Sequence, residues 1–198
     1  MNEAPRFAAD RIVAALRGRS PRTIEGVARA AAVAMVLRDG GRGLETLFMK
    51  RAEHPNDPWS GHVSFPGGRA EESDPSLVHT AVRETAEELG LSLDAERELA
   101  GPLDETRATA RAKIVDMKIA PFVFSIGADA RPLTLNHEVA AAHWIPLVDL
   151  FDPARASAVS LTREGQAYRF PAIEIQGITI WGLTLRMLRN FETLTATP

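Results

Sequence analysis

Glu84, Glu87 and Glu88 stand at i, i+3 and i+4. On a helix that spacing sets three carboxylates beside one another on one face. Like charges placed so repel by about 0.2–0.5 kcal/mol per pair on an exposed helix, and more in an enclosed site. A divalent cation removes the repulsion and turns the cluster into a site; without one, the same residues are a solvated acidic face. An all-oxygen donor set favours Mg²⁺ or Mn²⁺ over zinc. The chemistry open to such a cluster, with one or more ions, is charge neutralisation on a phosphate and activation of water. A further carboxylate would then take the water's proton. The chain has no cysteine, which excludes a thiolate nucleophile, thiolate metal sites and disulfides.

The cluster needs a helix, and the sequence around it supplies one. Asp74-Pro75-Ser76 reads as a start, with Asp74 as N-cap and Pro75 at the first helical position. Leu89-Gly90 reads as the stop, with Gly90 past the end of the helix. Val78, Ala81, Val82, Thr85 and Leu89 fall on one face and should pack inward.

The remaining elements are short. Residues 7–17 space Phe7, Ile12, Val13 and Leu16 as an amphipathic helix, read as part of an N-terminal extension over residues 1–25. Two apolar runs, 28–37 and 44–51, flank a Gly-rich turn and predict a β-hairpin. A loop over 53–60 leads to a short strand at Val63 and Phe65, closed by Pro66-Gly67-Gly68. Strands are expected at 98–103, 117–126 and 138–144, and a helical turn at 146–151. Residues 178–194 space Trp181, Leu185, Leu188 and Phe191 as a closing helix. Short strands mixed with a few helices predict an α/β (α+β) sandwich on a mixed β-sheet, one domain over residues 26–198.

The stretch Gly67-Gly68 … Arg83-Glu84-Thr85-Ala86-Glu87-Glu88-Leu89-Gly90-Leu91 resembles the Nudix box. Thr85 stands where an aliphatic residue is usual. Pro75 stands where the box has an earlier Glu, and one inserted loop residue makes Asp74 its replacement. The resemblance implies a Nudix-like α/β/α sandwich and pyrophosphate hydrolysis with Mg²⁺ or Mn²⁺. It implies that Glu84, Glu87 and Glu88 are metal ligands. It makes Arg83 a structural residue paired with an acid near the helix start such as Asp74, with Gly90 structural too. Gly67 and Gly68 would let the backbone approach metal or phosphate closely.

Arg51-Ala52 with Gly61-His62-Val63-Ser64-Phe65-Pro66-Gly67-Gly68 is similar to the segment before the box in coenzyme A pyrophosphatases. Asn136-His137-Glu138-Val139, Trp144-Ile145-Pro146-Leu147 and Trp181-Gly182-Leu183-Thr184 resemble that subfamily's later segments. The substrate implied is coenzyme A or an acyl derivative, giving 3′,5′-ADP and a 4′-phosphopantetheine. The subfamily's second arginine falls at Asn56 here, which keeps ADP-ribose, a nucleotide sugar or a dinucleotide as the alternative.

Other residues admit two readings each. Glu138 is a fourth ligand or general base, or else a strand-edge carboxylate. Arg51 offers a guanidinium that matches phosphate geometry, or a surface salt bridge. His62 reaches substrate or stays in a solvated loop. His54, His79, His137 and His143 share no metal-ligand spacing. Trp59 and Trp181 read as packing residues. Asp104 and Glu105 are loop acids, either of which would be an outer carboxylate in place of Glu138.

Composition bounds the rest. Hydrophobic residues make up 45% and charged residues 25%, with net charge −3, so bulk electrostatics calls for no nucleic acid. No apolar run approaches the roughly 20 residues that span a bilayer, and no signal-peptide core is present, so a cytoplasmic protein is expected. Homodimerisation is expected only by family habit. A non-catalytic metabolite-binding module on the same fold is the competing class; the intact glutamate cluster argues against it. A related isomerase would need a cysteine.

Overall fold

The run of apolar residues in β1 (Arg29–Gly40) has no polar side to give to solvent, and the reason is its position. In the computed structural model, which describes residues 7–55, 59–110, 113–128, 131–163 and 166–195, β1 lies inside the main sheet and is buried on both faces. Met35 and Leu37 point into one core, and Ala32, Ala34 and Val36 into the other. Strand geometry requires this alternation.

The elements follow in order. After α1 (Ala9–Leu16) come β1, β2 (Gly43–Arg51), β3 (Val63–Ser64), β4 (Gly67–Arg69) and α2 (Leu77–Leu89). Then come β5 (Leu99–Pro102), β6 (Thr106–Ala110), β7 (Lys113–Ser125), β8 (Val139–Pro146) and the turn α3 (Leu147–Leu150). The described chain ends with β9 (Ala156–Arg163), β10 (Gln166–Ile175), β11 (Ile178–Trp181) and α4 (Gly182–Thr195). β1 and β2 form the expected hairpin, closing at Gly40 opposite Gly43. β1 pairs parallel with β7 and antiparallel with β2 and β4, so the sheet is mixed. The path β3-β2-β1-β7-β5 carries β4, β6 and β8 as further strands. β9, β10 and β11 form a separate antiparallel sheet.

Two cores make the layers. Ala81 and Leu89 of α2 pack with Ala32, Ala34, Val36, Leu47 and Phe124 on one face of the sheet. Ile12 and Leu16 of α1, Leu188 and Phe191 of α4 and the isoleucines of the small sheet pack on the other. The α/β/α sandwich is therefore present, with the second helical layer shared between α1, α4 and the small sheet. No described helix is long and apolar enough to cross a membrane.

Three expectations need correction. Residues 178–194 are not one helix: Ile178–Trp181 is β11, and α4 begins at Gly182. Ile178 and Ile180 are buried while Thr179 and Trp181 are half-buried, a two-residue period that the helical spacing of the later apolar residues masked. Gln176 and Gly177 both take positive φ and close a tight β10–β11 hairpin. β6, β9 and β10 lie in segments that the apolar pattern left unassigned. Asp74 is not the N-cap of α2; that position is Ser76, whose side chain makes no capping bond. The Asp74 carboxylate is instead taken by a guanidinium and two other donors, described next.

Candidate active site

Arg83 and Asp74 form the brace beneath the cluster. Arg83 Nε donates to Asp74 Oδ1 at 2.9 Å and Nη2 to Asp74 Oδ2 at 3.0 Å, a two-point guanidinium–carboxylate contact. Asp74 Oδ2 also accepts from Glu71 N at 3.0 Å and Thr80 Oγ1 at 2.9 Å. The Arg83 hydrogen bond, followed by that of the Glu71 amide, holds the Asp74 carboxyl well below the usual carboxylate range. Arg83 Nη2 reaches back to the Arg69 carbonyl at 3.0 Å, tying α2 to β4. Its Nη1 donates to Glu84 Oε1 at 3.0 Å and Glu87 Oε2 at 3.2 Å.

The three glutamates of α2 differ in setting. Glu87 is exposed, Glu84 is half-buried, and Glu88 is 2% exposed. Glu88 Oε2 accepts from Gly67 N at 2.8 Å, and Arg51 Nη1 lies 4.0 Å from Glu88 Oε1. Burial pushes the Glu88 carboxyl up to about 8. The Gly67 amide and Arg51 pull it down, while the charges of Glu84 and Glu138 add to the rise. Burial also raises Glu84; Arg83 opposes this, and Glu87 and Glu138 reinforce it. Glu84 and Glu88 are thus less acidic chiefly because they are buried, and further because other carboxylates lie near them.

The glycines explain how the acids come so near the loop. A Cβ on Gly68 would sit 2.4 Å from the Glu84 carboxyl carbon. A Cβ on Gly67 would sit 2.2 Å from the Ala32 carbonyl oxygen, at a φ of +148°. Gly90 caps α2 in the left-handed conformation, its N–H bonded to the Ala86 carbonyl at 2.9 Å. Beyond it, Thr134 N and Asn136 N donate to the Leu89 and Glu88 carbonyls. These bonds satisfy the helix's last carbonyls and carry the chain to Glu138. That residue lies one position before β8, in the turn, with its N–H on Asn136 Oδ1.

Arg51, Gly67, Gly68, Arg83, Glu84, Glu87, Glu88 and Glu138 line one groove of about 1450 Å³, with His62 and Trp59. Asp74 lies beneath it, holding Arg83. The donor set suits a hard divalent cation: several oxygens, one buried acid with its proton affinity raised, and mutual repulsion for an ion to relieve. Among the described residues, no three acids or histidines already converge as a metal cage, and Arg83 holds Glu84 and Glu87 in place.

Several sequence candidates lie elsewhere. Asp104 takes Arg19, Arg22 and Asn190, and Glu105 takes Lys118 and the Ile24 amide. Neither lines the groove, because both are used to fasten the segment after α1. His79 shares a hydrogen bond with Ser76, and His143 lies on β8, its pKa lowered by burial and by Lys50. Asn56 lies outside the described residues. Sequence reasoning missed Leu161 and Phe170, which wall the groove from the small sheet. The alternation of apolar residues over 156–175 was the signal that would have found them.

The NUDIX domain model matches residues 28–164. The Nudix hydrolase NudL of Yersinia pestis (strain Pestoides F) is 30% identical over 146 residues, which cover 73% of this chain and 69% of that protein. A fission-yeast protein, C14C4.10c of Schizosaccharomyces pombe, is 36% identical over 109 residues, covering 54% of this chain and 33% of the longer relative. Among solved structures, a MutT/nudix family protein from Enterococcus faecalis aligns over 97% of this chain and 68% of its own, with TM-score 0.53 and 14% identity, a likeness of fold. The family match runs from the approach to β1 through β9 and encloses α2 and its glutamates, and the chain belongs to the Nudix hydrolase family.

Proposed function

We propose that this Nudix hydrolase cleaves the pyrophosphate linkage of coenzyme A or an acyl derivative, at the groove between α2 and Glu138. The observation that carries the reading is Glu88: a buried carboxylate, held by the Gly67 amide, sharing one groove with Glu84, Glu138 and Arg51. Burying an acid there is costly unless a cation or substrate group completes the site.

Glu84, Glu87 and Glu88 would hold Mg²⁺ or Mn²⁺, in competition with Arg83 Nη1 for Glu84 and Glu87. A bound divalent ion supplies charge neutralisation and acidification of water. The chain's own residues do the rest. Arg51 contacts a phosphate oxygen with its guanidinium. Gly67 and Gly68 let the substrate approach the backbone. Glu138 accepts the proton of the attacking water. Arg83, fixed by Asp74, keeps α2 in register with the glycine loop. No covalent enzyme intermediate is needed, in keeping with the absence of cysteine.

Support for coenzyme A comes from residues 61–68, which resemble the subfamily segment and bring His62 to Phe65 and both glycines to the groove. Asn56, in place of a second arginine, favours the alternative, another nucleoside-diphosphate derivative such as ADP-ribose. The deciding experiment measures kcat/KM for coenzyme A, dephospho-coenzyme A, ADP-ribose and a nucleotide sugar, with Mg²⁺ and with Mn²⁺, identifying products by mass spectrometry. The expected result is 3′,5′-ADP with 4′-phosphopantetheine, and at least about a tenfold preference over the dephospho form, the scale of one charge-assisted contact. Inert coenzyme A beside rapid ADP-ribose cleavage would replace the substrate and keep the reaction.

A further inference from the structure

The small sheet has two faces with different partners. Ile173, Ile175, Ile178 and Ile180 are buried in the larger core. The register sets Ala172 opposite Ser157 and Trp181, and Phe170 opposite Val159. Tyr168 pairs with Leu161. The two-residue period of a strand therefore puts Leu161, Phe170 and Trp181 together on the other face. All three are only partly buried, and all three line the groove that also holds Glu84 and Glu88. Met117, Leu183 and Met187 add apolar surface to the same cavity. This half-open apolar face and the acids thus share one groove.

We infer that this face is a subsite for a linear acyl chain carried on the pyrophosphate substrate as a thioester, with Leu161, Phe170 and Trp181 setting the preference for chain length. The inference rests on the groove being the pyrophosphate-cleaving site and extends it to the substrate's far arm. The surface fits a chain better than a nucleobase. The Phe170 and Trp181 rings are 5.9 Å apart and inclined at 48°, packed on each other rather than set parallel about a gap that would sandwich a planar base. The methionine side chains of Met117 and Met187 adapt to a flexible chain. The groove, at about 1450 Å³, also exceeds the roughly 300–1,000 Å³ of ordinary small-ligand pockets.

The test reads binding and turnover separately. Dissociation constants are measured by calorimetry in EDTA for coenzyme A and its acetyl, butyryl and octanoyl thioesters. Turnover of the same series follows with Mg²⁺. Affinity and kcat/KM should both rise at least about tenfold from acetyl to octanoyl, since each added methylene leaves water. Phe170→Ser and Leu161→Gln should bring the octanoyl-to-acetyl ratio toward one, and Phe170→Leu should keep most of it. Two positions on different strands guard against a single misfolded variant. If binding and turnover are indifferent to chain length, the subsite is refuted while pyrophosphate cleavage stands. A length preference that survives Phe170→Ser and Leu161→Gln, both folded, also refutes it. If no pyrophosphate is cleaved, yet octanoyl-coenzyme A binds more tightly in EDTA and loses that advantage in the variants, the subsite stands and the hydrolytic reading fails.

Discussion

Glu88 occupies a place that suits a neutral group, and its behaviour with pH follows. Its carboxyl is raised by burial to about 8 in the folded protein, against an ordinary value near 4.5. In the metal-free protein at pH below about 4.5, it is protonated folded and unfolded, and it costs nothing. Between about 4.5 and 8 the unfolded chain releases the proton and the folded chain keeps it, so stability falls as pH rises. Above about 8 the full penalty is present. Glu88→Gln removes it. In EDTA the variant should melt higher than the parent at pH 8 and nearly match it at pH 4.5. With metal, its activity should fall at least about 100-fold, the scale of losing one important transition-state interaction. A variant that melts no higher at pH 8 would show that Glu88 is not strained by burial; near-normal turnover would remove it from the site.

At the start of α2, the pairing of Asp74 with Arg83 predicts mutants different from those of a helix cap. As an N-cap, Asp74 would be replaced well by Asn and poorly by Ala, at about 1 kcal/mol. As the carboxylate beneath Arg83 it is replaced by neither. Asn presents one oxygen and no charge to a guanidinium that contacts both oxygens of Asp74. We expect Asp74→Asn and Asp74→Ala to cost about 2–3 kcal/mol each. That lies just below the usual loss for breaking a buried pair, because Arg83 keeps Glu84 and Glu87. Urea denaturation compares them directly, and an Asn variant as stable as the parent would show that the charge pair with Arg83 carries none of the stability. The adjoining loop separates two further effects. Gly67→Ala drives a Cβ into the backbone of β1 and should lower the melting temperature sharply. Gly68→Ala meets first the movable end of Glu84, so it should cost activity with little loss of stability. Melting temperature and kcat/KM measured on both variants resolve the pair.

The molecule is held as one piece by contacts far apart in sequence, and the clamp at Asp104 is the clearest. Arg19, Arg22 and Asn190 of α4 all donate to its carboxylate, and its own amide donates to Asn190. Burial raises the Asp104 pKa, but the hydrogen bonds from Arg19 and Arg22 together outweigh it and hold the carboxyl well below the usual range. The clamp is therefore fully present above about pH 4 and is lost as pH falls through the folded value. Asp104→Asn should destabilise most at pH 7, with the difference from the parent shrinking toward pH 3. It should also quicken amide hydrogen exchange in α4, since Asn190 loses a partner and α4 supplies part of the groove wall. A stability difference that stays constant from pH 7 to pH 3 would show that the charge of Asp104 carries none of the clamp.

The parts legible in the sequence are those set by short-range geometry. The glutamate spacing on α2, the Gly67-Gly68 approach, the Gly90 stop and the β1–β2 hairpin each depend on residues a few positions apart, whose periodicity or dihedral preference is local. The same spacing is silent on environment. Whether Glu88 is buried or solvated depends on Gly67 and Arg51, which reach it from other elements. Along the chain Asp74 reads as a cap because Pro75 follows it; its partner Arg83 lies nine residues on, and three donors outcompete one helix end. Asp104 and Glu105, eligible as site acids by type, are taken by a segment more than 80 residues earlier. The groove's far wall emerges only when β10 pairs with β9 and β11 and one face of that small sheet is left open toward α2. Chemistry carried within one helix can be read along the chain; burial and enclosure arise between elements, where sequence distance carries no measure of separation.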